Sequence, residues 1–124
     1  MPKTVMIVED NELNMKLFND LLEANGYATK QSKNGFEAIE LAKYHLPDLI
    51  LMDIQMPVMD GMTATQQIRS NQRFNDLPII AVTANAMSDE RRLCLDAGMQ
   101  DYLIKPLSRK ALYGCIAKWT QIDQ

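Results

Sequence analysis

The chain predicts an α/β fold in which a doubly wound, five-stranded parallel sheet carries helices on both faces. Three observations point there. Short aliphatic or β-branched runs alternate with longer amphipathic stretches about five times, the pattern of successive βα units. Three of those runs, Val5 to Val8, Leu49 to Met52 and Ile79 to Val82, are apolar without the polar alternation of a half-exposed strand, so they suit strands covered above and below. Helix start and stop residues punctuate the stretches between them. The 124 residues, 47% hydrophobic and 23% charged, suit one globular domain with one sizeable core, and leave no room for a second effector module.

Taken in order, Thr4 to Val8 is the first strand, followed by a helix that Asn11 caps and that runs to Asn25, with Gly26 ending it. Tyr27 to Lys30 is more polar and reads as an edge strand. His45 stands before Pro47 and Asp48 at a helix end, where the helix dipole favours it. Leu49 to Met52 is the third strand and Ile79 to Thr83 the fourth. Between them, Asn71 to Pro78 is polar and ends in proline, which predicts a surface connection. Ser88, followed by Asp89 and Glu90, makes an N-cap and an acidic first turn for a helix through Leu93 and Leu95 to Ala97, stopped by Gly98. Tyr102 to Ile104 is the fifth strand. After a Ser108 cap, Leu112, Cys115, Ile116 and Trp119 fall at i, i+3, i+4 and i+7, one stripe facing a core.

Composition excludes several function classes. Thirteen Lys plus Arg against sixteen Asp plus Glu give a net charge of −3, the opposite of the basic surface that nucleic-acid binding needs. The strongest apolar runs fall far short of the roughly 20 residues that span a bilayer. The start, Met1-Pro2-Lys3-Thr4, enters an apolar strand with no export signal, so a cytoplasmic, self-contained single domain over residues 1–124 is expected. Cys94 and Cys115 lack metal-ligand spacing and read as reduced thiols on helices. Met6, Met52 and Met56 read as core filling, with Met87 and Met99 as weaker candidates for surface recognition.

In an open parallel sheet the ligand site lies beyond the carboxyl ends of the strands. Here those ends are followed by Glu9 and Asp10, by Asp53, by Thr83 and by Lys105. Three carboxylates so close would repel one another and resist ionisation unless a cation sits among them. Oxygen ligands without His or Cys select Mg2+, which takes one or two carboxylates with waters and a phosphate oxygen. Asp53 beside such an ion is placed to attack a phosphoryl donor in line, with Lys105 stabilising the equatorial oxygens and Thr83 donating a hydrogen bond.

These residues carry a family resemblance. Val8-Glu9-Asp10-Asn11, Asp53-Ile54-Gln55-Met56-Pro57 with Asp60-Gly61, Val82-Thr83-Ala84 and Lys105-Pro106 together resemble the receiver domain of two-component response regulators, over the whole chain. Glu9 to Asn14 and Asp101 to Pro106 are most similar to single-domain regulators of the DivK kind and to the receivers of hybrid sensor kinases. The resemblance implies the flavodoxin-like strand order 2-1-3-4-5. It implies that Asp53 is the phosphoacceptor, that Glu9, Asp10 and Asp53 hold Mg2+ with the Gln55 backbone carbonyl, and that Thr83 and Lys105 meet the phosphoryl group. Thr83 and Tyr102 would be the switch pair, reshaping the surface of the fourth helix, fifth strand and fifth helix. Lys105-Pro106 would be a cis peptide. Gln55 and Asn85 would flank the path of an attacking water. The implied partners are a histidine kinase or histidine phosphotransfer protein and a downstream protein target.

Other readings meet obstacles in the same residues. A Mg2+-dependent phosphohydrolase with Asp53 as nucleophile would use a second Asp two positions on, where this chain has Gln55, whose amide cannot protonate a leaving group. The one acid nearby, Asp60, reads as a turn residue beside Gly61. A flavin site in the first loop would set a phosphate against Glu9 and Asp10. A scaffold without phosphorylation leaves the acid cluster unexplained. The expected function is therefore a phosphoacceptor switch and not a turnover enzyme.

Overall fold

The computed structural model describes residues 3–56, 59–84 and 88–120; Asn85, Met87 and the two chain ends discussed above lie outside them. The elements are β1 (Thr4–Val8), α1 (Glu12–Ala24), β2 (Ala28–Ser32), α2 (Gly35–His45), β3 (Leu49–Asp53), α3 (Gly61–Arg69), a 3-10 turn (Gln72–Phe74), β4 (Ile79–Thr83), α4 (Ser88–Ala97), β5 (Asp101–Ile104) and α5 (Arg109–Thr120). All strand pairs are parallel and the order is β2-β1-β3-β4-β5, so the three apolar runs are the interior strands and the polar second run is an edge.

Alternation along the strands divides the interior into two layers. Met6, Val8, Ile50, Met52, Ile79 and Ala81 pack with Ala38, Ala42, Ala64, Ile68 and Cys94 of α2, α3 and α4. Val5, Ile7, Leu49, Leu51, Ile80 and Val82 pack with Phe18 and Leu22 of α1 and with Leu112 and Ile116 of α5. Each fully buried large side chain contributes about 1.5 to 3 kcal/mol by leaving water, which is why strands apolar on both faces end in the middle of the sheet.

The helix ends follow local chemistry. Asn11 Oδ1 accepts from the Asn14 N–H at 2.9 Å, the N-cap bond, and Gly26 takes φ +87° just past the end of α1. Gly98 does the same after α4 at φ +108°. Ser108 Oγ accepts from the Ala111 N–H at the start of α5. α4 begins at Ser88 itself, so its cap position falls one residue earlier, outside the described residues. His45 is the last residue of α2, the helix end expected for it.

Several expectations shift. β2 is Ala28–Ser32 rather than Tyr27 to Lys30: Tyr27 donates its N–H back to Leu22 and is buried ahead of the strand, while pairing with β1 extends the strand to Ser32. The Asn71 to Pro78 connection is anchored rather than merely superficial, because its 3-10 turn buries Phe74 and Leu77. α4 faces the core with Cys94 and Ala97, leaving Leu93 and Leu95 exposed. Met99, weighed for surface recognition, is 3% exposed and belongs to the core. Trp119 is only partly buried against the α5 stripe, and its Nε1 donates to Asp101 Oδ2 at 2.8 Å. Both cysteines are buried thiols, with Cys115 pushed up to about 12 by burial and by the neighbouring Asp101 charge.

Candidate functional site

Strand register assembles the site. Val8 pairs with Met52, so Glu9 follows β1 at the level of Asp53, the last residue of β3. Asp53 pairs with Val82, which sets Thr83 one step further along β4, and Thr83 pairs with Ile104, which sets Lys105 one step beyond β5. The ladder continues into the rim: Glu9 N–H donates to Ser32 O at 3.0 Å and Lys105 N–H to Thr83 O at 2.8 Å. Four strands thus deliver their terminal polar residues to one edge, because parallel strands all end on the same side.

Glu9, Asp10 and Asp53 each offer a carboxylate oxygen, and these oxygens lie within 4.8 Å of one another. Glu9 and Asp53 are 2% exposed and Asp10 is exposed at the mouth. Lys105 Nζ stands 3.1 Å from Glu9 Oε1 and 3.3 Å from Asp53 Oδ2. Gln55 N–H donates to Asp53 Oδ1 at 3.0 Å, and Asn11 N–H to Glu9 Oε2 at 3.1 Å. Both oxygens of Asp53 are therefore spoken for, one by the backbone and one by the ammonium group.

The cluster is electrostatically incomplete. Glu9 Oε1 is buried with an ion-pair contact to Lys105 but no aligned hydrogen bond. Burial, with the Asp53 charge adding, pushes Glu9 up to about 7, although the Asn11 N–H and Lys105 pull the other way. Burial pulls Lys105 down, but its contact with Glu9 and the charges of Asp53 and Glu9 outweigh that and hold it above the ordinary lysine range. One ammonium thus touches two of the three carboxylates, and a buried oxygen among them has no hydrogen bond. That donor set, all oxygen with neither His nor Cys, fits a hard divalent cation.

Thr83 lies at the same edge and is 3% exposed. Tyr102 is further from the acids, half-buried on β5, with the Arg91 guanidinium 4.4 Å from its ring centroid. Lys105-Pro106 is a cis peptide. Asp60 is not one of the three clustered acids: read as a turn residue beside Gly61, it instead caps α3, its Oδ1 accepting from Thr63 N–H. The Gln55 and Asn11 N–H groups that hold the carboxylates escape sequence reasoning, since every residue but proline has an N–H and only the fold aims it.

Comparison with known proteins gives the same picture. The chain is 52% identical over 108 residues to the polar-differentiation response regulator DivK of Brucella anthropi, covering 87% of this chain and 88% of that one. Among solved structures, it resembles the receiver domain of a sensor histidine kinase from Pseudomonas aeruginosa, which has a magnesium ion coordinated in its active site cleft. The identity is 38%, the TM-score 0.91, and the match covers 98% of this chain and 100% of that one. It also resembles the Saccharomyces cerevisiae receiver domain of Ssk1, solved with the histidine phosphotransfer signaling protein Ypd1, at 34% identity and TM-score 0.90 over 97% of this chain and 90% of that one. The family model for the response regulator receiver domain matches residues 5–117. With the fold, the acid cluster and that match in agreement, the chain belongs to the receiver domain family of response regulators.

Proposed function

We propose that the chain is a cytoplasmic phosphorelay switch that takes a phosphoryl group on Asp53 from a phosphohistidine and signals by protein contact. The single observation that supports this most is the knot of Glu9, Asp10 and Asp53 oxygens within 4.8 Å, tied to Lys105 and short of positive charge. Glu9, Asp10 and Asp53, with the Gln55 carbonyl, are the residues that would hold Mg2+. When bound, the ion supplies charge neutralisation among the carboxylates and on the phosphoryl oxygens.

A carboxylate oxygen of Asp53 forms the new O–P bond as the P–N bond of the donor breaks, and the imidazole leaves with that bonding pair and takes a proton from solvent. Lys105, already beside Asp53 Oδ2, offsets charge on the transferred oxygens, and Thr83 hydrogen-bonds one of them. The donor is a histidine kinase or histidine phosphotransfer protein, a reading that the likeness to the Ssk1 receiver supports. Output passes from Thr83 to Tyr102 and to the face of α4, β5 and α5, where Leu93, Leu95 and Ile104 stand exposed. The partners are proteins rather than nucleic acid or membrane. A receiver within a longer sensor kinase would use the same chemistry.

A phosphohydrolase reading fails on its general acid. Gln55 cannot serve, and Asp60 is committed to capping α3. Gln55 beside Asp53 instead bears on how fast the domain assists its own dephosphorylation. The test is intact mass after incubation with Mg2+ and acetyl phosphate: one phosphate on the natural chain and none on Asp53→Asn. Normal labelling of Asp53→Asn would defeat the assignment, and sustained turnover of generic phosphate esters would favour the hydrolase.

A further inference from the structure

We infer that Gly61 is a positioning residue for Asp53: the absence of a side chain lets the first turn of α3 seat directly on the backbone that aims the carboxylate. This rests on the reading of Asp53 as the acceptor. A Cβ at Gly61 would lie 2.4 Å from the Asp53 carbonyl oxygen, 2.8 Å from Ile54 Cα and 2.8 Å from Met52 Cγ. Gly61 is not among the positive-φ glycines, so the requirement is space and not backbone conformation.

The contact lies at the root of the loop that handles the nucleophile. Gly61 N–H donates to Ile54 O at 3.3 Å, closing that root, and the next residue, Gln55, gives its N–H to Asp53 Oδ1. The first turn of α3 is stiffened from within, Asp60 Oδ1 accepting from Thr63 N–H and buried Thr65 Oγ1 donating to Gly61 O at 2.7 Å, and the helix is held on the sheet by Ala64 and Ile68, buried with Ile50 and Met52 of β3. With the helix start fixed and β3 locked in the middle of the sheet, neither side yields cheaply to a methyl group. Relief of so short a contact needs a backbone shift approaching 1 Å, and a displacement of about that size costs roughly 100-fold in a reaction that depends on alignment.

Two other glycines make internal comparisons. At Gly35 a Cβ would meet Met59 Sδ at 2.9 Å, Met59 Cγ at 3.0 Å and Ala64 Cβ at 3.1 Å, mostly a flexible side chain that can move aside. At Gly114 a Cβ meets nothing within 4 Å.

The test measures Mg2+ affinity by calorimetry, the rate of labelling by acetyl phosphate, and stability, on the full chain. Gly61→Ala is expected to lose about 10-fold or more in Mg2+ affinity, the usual effect of disturbing residues that support a metal site. Its labelling rate is expected to fall about 100-fold. Gly114→Ala should match the natural chain, and Gly35→Ala should stay within about twofold of it, since only side-chain repacking is asked. A folded Gly61→Ala with natural affinity and rate overturns the inference, as does a loss no larger than that of Ile116→Val, which weakens the opposite core layer.

If Gly61→Ala does not fold, Asp60→Ala and Asp60→Asn decide the matter. The first removes the cap that stiffens the start of α3, and the second keeps the cap while dropping the charge. Weaker Mg2+ binding by the alanine variant than by the asparagine variant, by about threefold or more, supports positioning through the start of α3, and equal binding overturns it. Should the natural chain itself neither bind Mg2+ nor take up phosphate, the acceptor reading fails and takes this inference with it.

Discussion

Replacing Glu9 by Gln should make the metal-free protein more stable at neutral pH while weakening its hold on Mg2+. Glu9 is buried, and burial holds it at about 7 against an ordinary 4.5, so the folded state binds a proton that the unfolded chain has already released. Between those two values the native state carries more protons than the unfolded one, and stability falls as pH rises. The stabilising contribution is complete below about 4.5 and gone once pH passes about 7, a difference of about 3 kcal/mol at most. Glu9→Gln removes this slope, and by relieving the crowded carboxylates should stabilise the metal-free protein by about 1 to 3 kcal/mol at pH 8. The same substitution deletes a candidate ligand, so Mg2+ affinity should fall, whereas the natural chain should gain affinity about tenfold per pH unit below 7 and level off above it. Urea unfolding at pH 5 and pH 8, with and without Mg2+, measures all of this. If Glu9→Gln keeps the natural pH slope, or proves less stable at pH 8 without metal, the account of a strained buried acid is refuted.

Lys105→Met should slow labelling of Asp53 by about 100-fold through loss of oxyanion stabilisation, while Mg2+ binds more tightly because its competitor for the acids is gone. Labelling kinetics and a metal titration on one preparation check both signs. Trp119→Phe should cost about 1 to 3 kcal/mol in urea unfolding, since it removes the donor to Asp101 Oδ2 and keeps most of the apolar contact, with Mg2+ affinity unchanged.

Some features were legible in the residues because they depend on local chemistry alone. Asn11, Gly26, Gly98 and Ser108 mark helix ends by what their own side chains and backbones can do, and the structure uses each of them there. Polar residues at the ends of four strands pointed to one rim, since parallel strands share a direction. The polar stretch from Asn71 hid its anchors, because Phe74 and Leu77 join the core only once the chain folds around the 3-10 turn. Along α4 hydrophobicity alone does not choose the inner face: helix rotation buries Cys94 and Ala97 and leaves Leu93 and Leu95 exposed.

By itself the sequence determined the α/β class, the interior strands and the set of polar residues that gathers at one rim, because alternation, caps and charge are properties of neighbours along the chain. Tertiary structure alone decided that buried Glu9 Oε1 has an ion pair but no hydrogen bond, that backbone N–H groups of Asn11 and Gln55 hold the acids, and that a Cβ at Gly61 would clash with the Asp53 backbone. Those are matters of where groups sit in space, even when they lie only two residues apart in the chain, and that placement is set by how the strand ends and loops pack.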